Sequence, residues 1–96
     1  MSPTTVEGRR ALADSRGFLA VASDGQLGEI ELTLVSPDRH GEPDYLVVRR
    51  GRFPRTRHPV VSATLVEEID PRRRLVYLRG RVEQLATFSE QLPLAI

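Results

Sequence analysis

The sequence has no cysteine, no lysine, no asparagine and no tryptophan. Without cysteine there is no disulfide, no thiolate nucleophile and no sulfur-ligated metal, a usage that fits a reducing compartment. Without lysine, all 14 basic side chains are arginine, a bias that GC-rich codon usage produces. Arginine's planar fork also suits phosphate and carboxylate partners. Long apolar runs are missing as well. None approaches the roughly 20 residues a membrane helix needs, and the run at Val60-Val61 is soon interrupted by Ser62 and Thr64. The opening Met1-Ser2-Pro3-Thr4-Thr5 is polar and lacks the apolar segment of a signal peptide. The expectation is a soluble cytoplasmic protein without membrane insertion. The net charge of +1 gives no strong overall field to draw in a highly charged partner. The 96 residues suffice for one small domain with one core, and leave no room for a deep, multi-walled cleft.

What is present is a two-residue rhythm. Phe18-Leu19-Ala20-Val21-Ala22 is a short apolar run, and Ser23-Asp24-Gly25 after it is a hairpin signal, because glycine accepts positive φ without steric cost. In Glu29-Ile30-Glu31-Leu32-Thr33-Leu34, strict alternation predicts Ile30, Leu32 and Leu34 on one core-facing side of a strand. Two prolines and a glycine make Ser36 to Asp44 a loop. Tyr45 to Arg49 resumes a strand, and Gly51 to Pro59 is a second loop. Val60 to Ile69 reads as one strand, bent near Glu67-Glu68; Asp70-Pro71-Arg72-Arg73 turns and Leu75 to Leu78 returns. Val82, Leu85, Ala86 and Phe88 fall at helical intervals, and Pro93 stops that helix. Residues 1–16 are expected as a tail that can hold a short helix with Pro3 at its first position. Short strands joined by turns predict an all-β domain over residues 17–96, a small antiparallel barrel or sandwich.

Several of these features, in this order, are those of one family. Asp24-Gly25 with Leu27-Gly28 after it, Tyr45-Leu46-Val47-Val48 with Gly51, His58-Pro59-Val60, and Ile69-Asp70 before Val76-Tyr77-Leu78 resemble a PRC-barrel domain over roughly residues 17–92. That family includes the H subunit of photosynthetic reaction centres, a ribosome maturation factor and small stand-alone bacterial and archaeal proteins. The resemblance implies a strongly bent β-barrel used as a protein-binding adaptor, with no catalytic residues and no cofactor to carry over. The basic segment at residues 52–59 departs from the family's pattern.

Candidate sites are few. Arg49, Arg50, Arg52, Arg55 and Arg57 lie within nine residues, with Phe53 among them. Such a loop can bind phosphates and stack on a base, or its arginines can pair in solvent with Glu29, Glu31, Glu67 and Glu68. Arg72-Arg73-Arg74 is a second basic run, in a turn. Asp38, His40, Glu42 and Asp44 lack the spacing of a calcium loop, so no metal is expected. Glu67 and Glu68, adjacent on a strand, are expected to face opposite ways. No serine sits in a nucleophile motif and no phosphate-binding glycine loop exists, so an enzyme is not expected. Leu92, Leu94 and Ile96 form an apolar end suited to a groove or to another subunit. The reading is a non-enzymatic adaptor, expected as a homodimer with a further protein partner. The alternative is an RNA- or ribosome-associated factor using residues 49–58.

Overall fold

A computed structural model of the chain describes residues 1–35, 43–52 and 54–88. The apolar runs become six strands: β1 (Leu19–Ala22), β2 (Gly25–Val35), β3 (Pro43–Arg49), β4 (Val60–Ser62), β5 (Val66–Asp70) and β6 (Leu75–Leu78). Two short helices flank them, α1 (Val6–Ala13) and α2 (Val82–Phe88). The strands make one sheet in the order β4-β3-β2-β1-β6-β5. Neighbours joined by hairpins pair antiparallel, but β1 and β6 run parallel, with Leu19, Ala20 and Val21 opposite Leu75, Val76 and Tyr77.

Two expectations change here. The sheet is mixed rather than wholly antiparallel, because its one non-local pairing brings the first strand beside the last. The ladder also ends at β4 and β5, and among the described residues no strand pairing closes it into a barrel. The expected single strand from Val60 to Ile69 is two strands on opposite edges of the sheet. A 3₁₀ turn at Ala63–Leu65 separates them. Ser62 caps that turn, its Oγ accepting from the Thr64 N–H at 3.3 Å. Local side-chain capping here competes with strand continuation. The expected bend at Glu67-Glu68 is a register shift between Val66 and Glu68.

The alternation along β2 is broken too. Ile30 pairs with Val48, yet Leu32 pairs with Val47, so Glu31 is an extra residue and β2 bulges there. A bulge of this kind resets which residues face inward. Ile30 is wholly buried, while Leu32 is 42% exposed. Ile30, Leu32 and Leu34 therefore do not share the core-facing side.

The core behind the sheet is aliphatic. Ile30, Leu46, Val48, Ile69 and Val76 have no accessible surface, and Leu27 has almost none. Burial of each such side chain stabilises the fold by about 1.5–3 kcal/mol. Residues 1–16 contribute to it. Thr5, not Pro3, sets the start of α1: its Oγ1 accepts from the Gly8 N–H at 2.9 Å. Leu12 is buried, and the Ser15 hydroxyl, also buried, donates to the Leu12 carbonyl at 2.6 Å. Helix α1 touches both β3 and β5, strands from opposite halves of the sheet. The Ile69 N–H, which turns away from β6, donates to the Met1 carbonyl at 2.9 Å. The chain's first residue thus covers the outer edge of β5. At the other end, α2 buries Leu85 and is tied to the first hairpin by the Val82 N–H donating to Asp24 Oδ1 at 2.8 Å.

Candidate interaction surface

The bulge at Glu31 decides what the outside of the sheet presents. Leu32 lies opposite Val47, which lies opposite Val60; Leu34 lies opposite Tyr45, which lies opposite Ser62. Directly opposed side chains share a face. Leu46 and Val61, between these rows, point inward and are buried. The outer face of β2-β3-β4 therefore carries Leu32, Leu34, Tyr45, Val47 and Val60, with Val35, 46% exposed, at its margin. Further along the same face, Arg49 pairs with Glu29 (Nη2–Oε2 2.6 Å) and His58 Nδ1 lies 2.7 Å from Glu31 Oε2. One end of the surface is apolar and the other is polar. The Arg49–Glu29 pair is about half exposed, which holds it to about 0–1 kcal/mol of stability. The two contacts define a polar border.

The arginine-rich segment leaves this border as a closed loop. Arg50 and Arg57 exchange backbone hydrogen bonds at 2.8 and 2.7 Å, and inside them the Arg55 N–H donates to the Arg52 carbonyl at 2.8 Å. Gly51 has φ +88°, and a Cβ there would stand 2.8 Å from the Arg55 carbonyl oxygen, so the tight turn needs glycine. The five arginines have different tasks. Arg49 pairs with Glu29, as the solvated-pair reading expects. Arg50 Nη1 donates to the carbonyls of Gln26 and Leu27 at 3.1 and 2.9 Å and clamps the loop onto β2. Arg52 and Arg55 are exposed and have no acidic partner among the described residues. Arg57 lines a cleft of about 250 Å³ with Arg50, His58, Pro59 and Ala86, between the loop and α2. Phe53, the proposed stacking residue, lies outside the described residues, as do Leu92, Leu94 and Ile96.

The second basic run sits in the β5–β6 turn. Arg74 has φ +60°, its carbonyl accepts from the Leu19 N–H at 2.9 Å, and its guanidinium lies 5.4 Å from the centre of the Phe18 ring. Arg73 approaches Asp70 at 3.9 Å, and Arg72 is exposed. Leu75, Leu19, Glu29 and Arg49 fall on one row across the sheet, so the end of one run and the start of the other share that row. The remaining arginines lie in loops that join different strand pairs, Arg52, Arg55 and Arg57 between β3 and β4, and Arg72 and Arg73 between β5 and β6.

Glu67 and Glu68 are both exposed, because β5 bulges at Glu67, between Val66 and Glu68. Glu67 approaches Arg79 at 4.0 Å and Glu68 approaches the N-terminal amine at 3.5 Å. They form no acid–base pair. Phe18 is a core residue, whereas Tyr45 and Tyr77 are half-buried. Among the described residues, no three His, Asp or Glu side chains converge as a metal site would require. No helix among them is long and apolar enough to cross a membrane. The outward row Leu32, Leu34, Val47 and Val60 was not legible in the sequence as a surface. The one available signal is the run of β-branched and aromatic residues at 45–48 beside an equally apolar partner strand, too many oily positions for a two-sided sheet to hide. Compared with known proteins, the sequence matches no family model and no curated relative.

Proposed function

We propose that this chain is a non-enzymatic protein-binding module of PRC-barrel type, an adaptor that docks a protein through the outer face of β2-β3-β4. The observation that carries the reading is the apolar outer row, with Leu32 42% exposed and Val35 46% exposed. Contiguous apolar surface rimmed by polar groups marks interaction sites on small proteins. Tyr45 within the row is of the residue type enriched at binding hot spots. A cytoplasmic setting and self-association belong to the same proposal.

The test is co-purification from the native host with a tagged chain and its Leu32→Glu variant. Leu32 is already exposed, so the variant keeps the circular dichroism spectrum and melting temperature of the parent. A stoichiometric protein partner held by the parent and lost by the variant supports the reading. Equal retention by both, or no partner for either, ends it.

A second reading has its own observation: Arg52 and Arg55 are exposed and have no acidic partner among the described residues. On this reading the loop holds an RNA backbone, and affinity falls steeply with salt as counterions are released. Titration of a structured RNA at rising salt, repeated with Arg52→Ala/Arg55→Ala, decides it. A salt slope reduced by about 2 in the double variant supports the loop as the site, and no binding at low salt removes it.

A further inference from the structure

The two edges of the sheet are treated differently. Edge strands in monomeric proteins are guarded by charge, bulges, proline or cover, because their free backbone groups recruit other strands. At β5 the guards are in place: Glu67 and Glu68 are charged, the strand bulges between Val66 and Glu68, and the Met1 carbonyl caps the Ile69 N–H. At β4 no such guard stands within the strand. It is Val60-Val61-Ser62, uncharged and regular. The Val48 N–H donates to the Pro59 carbonyl at 2.9 Å, which makes 48 and 59 a bonded pair. Alternation then turns Val61 towards β3 and turns the N–H and C=O of Val60 and the N–H of Ser62 to the open side, while the Ser62 carbonyl, at the cap of the 3₁₀ turn, opens that turn's own bonding. Among the described residues no turn or loop backbone bond engages the Val60 N–H, the Val60 C=O or the Ser62 N–H.

We infer that β4 pairs antiparallel with β4 of a second copy of this chain, about a two-fold axis at Val61. The inference rests on the protein-binding reading and names its first partner. In this arrangement the Ser62 N–H of each copy donates to the Val60 carbonyl of the other, and the two six-stranded sheets become continuous. The apolar outer rows join across the axis. Antiparallel pairing also carries the loop end of one β4, with Arg52 and Arg55, towards the 3₁₀-turn end of the other, which leads into Glu67 and Glu68. The axis keeps the two basic loops apart. A three-residue edge with a small face is far below the area of a permanent dimer, so the pairing is reversible, with a dissociation constant of about 10–500 µM.

Sedimentation velocity on the full chain from about 1 µM to 1 mM reads the equilibrium. Ser62→Pro is the discriminating variant. Ser62 has φ −65° and ψ 135°, values proline adopts, and its N–H is not used within the monomer. It removes an intersubunit bond while leaving the β3–β4 ladder intact. Val60→Lys, which places a charge on the outer face at the edge, is the second variant and decides the matter should Ser62→Pro fail to fold. The expected result is a concentration-dependent dimer in the parent and at least a tenfold weaker constant in the variants. The Ser62 amide gains exchange protection with concentration only in the parent. A dimer unchanged by both variants overturns the assignment of the edge. A parent that stays monomeric throughout overturns self-pairing altogether, and leaves the adaptor reading to its own co-purification test.

Discussion

Replacing Gly8 by alanine separates local helix chemistry from tertiary packing, because the two predict opposite signs. Gly8 lies inside α1, and in an isolated helix alanine is favoured over glycine by about 1 kcal/mol. In the folded chain a Cβ on Gly8 would overlap the Ser2 carbonyl oxygen and stand 2.9 Å from Thr5 Oγ1. The oxygen is backbone, so the segment before the helix has to move. That segment ends in Met1, whose carbonyl caps the Ile69 N–H on the edge of β5. Thr5 Oγ1 is the helix cap. Losing the cap costs about 1 kcal/mol, and losing the bond to Ile69 about 1 kcal/mol more. Disturbed seating of Leu12 adds to both. Against the propensity gain, the net expectation is a destabilisation of about 1–2 kcal/mol, or a fall in melting temperature of roughly 5–15 °C for a domain of this size. Urea denaturation measures the first and calorimetry the second. Hydrogen exchange supplies the local reading, with Ile69 losing protection before the rest of β5. A Gly8→Ala protein as stable as the parent, or more so, would refute the placement of residues 1–4 over the sheet edge.

Two further tests address the bulge and the basic loop. Ile30→Ala is expected to cost about 2–5 kcal/mol and Leu32→Ala less than about 1 kcal/mol in denaturant midpoints; equal losses would mean that the two share the core-facing side after all and that Glu31 is not a bulge. Gly51→Ala, with φ +88° and a Cβ 2.8 Å from the Arg55 carbonyl, is expected to cost about 1–2 kcal/mol and to expose the Arg50 and Arg57 amides to exchange, so an unchanged exchange pattern would refute the closed loop.

What the sequence disclosed, and what it withheld, divides along the range of the interactions. The hairpin at Asp24-Gly25, the strand at residues 45–49, the turn after Asp70 and the short helix after Gly80 are each written in a few neighbouring residues, and each is present. The bulge at Glu31 has no local mark, since Glu-Ile-Glu-Leu-Thr-Leu alternates as an unbroken strand does. It exists because Val47 and Val48 impose their spacing from the partner strand. The parallel pairing of β1 with β6 joins residues more than fifty positions apart and has no short-range signature. The weak apolar stripe of residues 6–13 hid the role of the N-terminal segment, because Leu12 is its one hydrophobic core residue and Val6 is 58% exposed. In the candidate site, arginine density marked a loop correctly but could not separate Arg50, which clamps backbone carbonyls, from Arg52 and Arg55, which reach solvent.

The misread parity of β2 and the two unequal edges have a common consequence. A six-stranded sheet with a small aliphatic interior needs one oily row per strand inside. Had β2 kept its alternation from the Ile30–Val48 pair, Leu32 would have faced inward opposite Leu46, and Val47 and Tyr45 on β3 would still have faced outward, without Leu32 and Leu34 beside them. One inserted residue brings Leu32 and Leu34 to the outward side next to half-buried Val47 and Tyr45, beside the edge strand that carries no charge, while the other edge is covered by the chain's own first residue. Exposed Leu32 and unguarded Val60 each have an ordinary explanation in isolation, since single surface hydrophobics are common. Contiguity is what removes it: face and edge meet at Val60, which belongs to both. On the adaptor reading proposed above, that junction supplies backbone bonds and apolar contact at a single place.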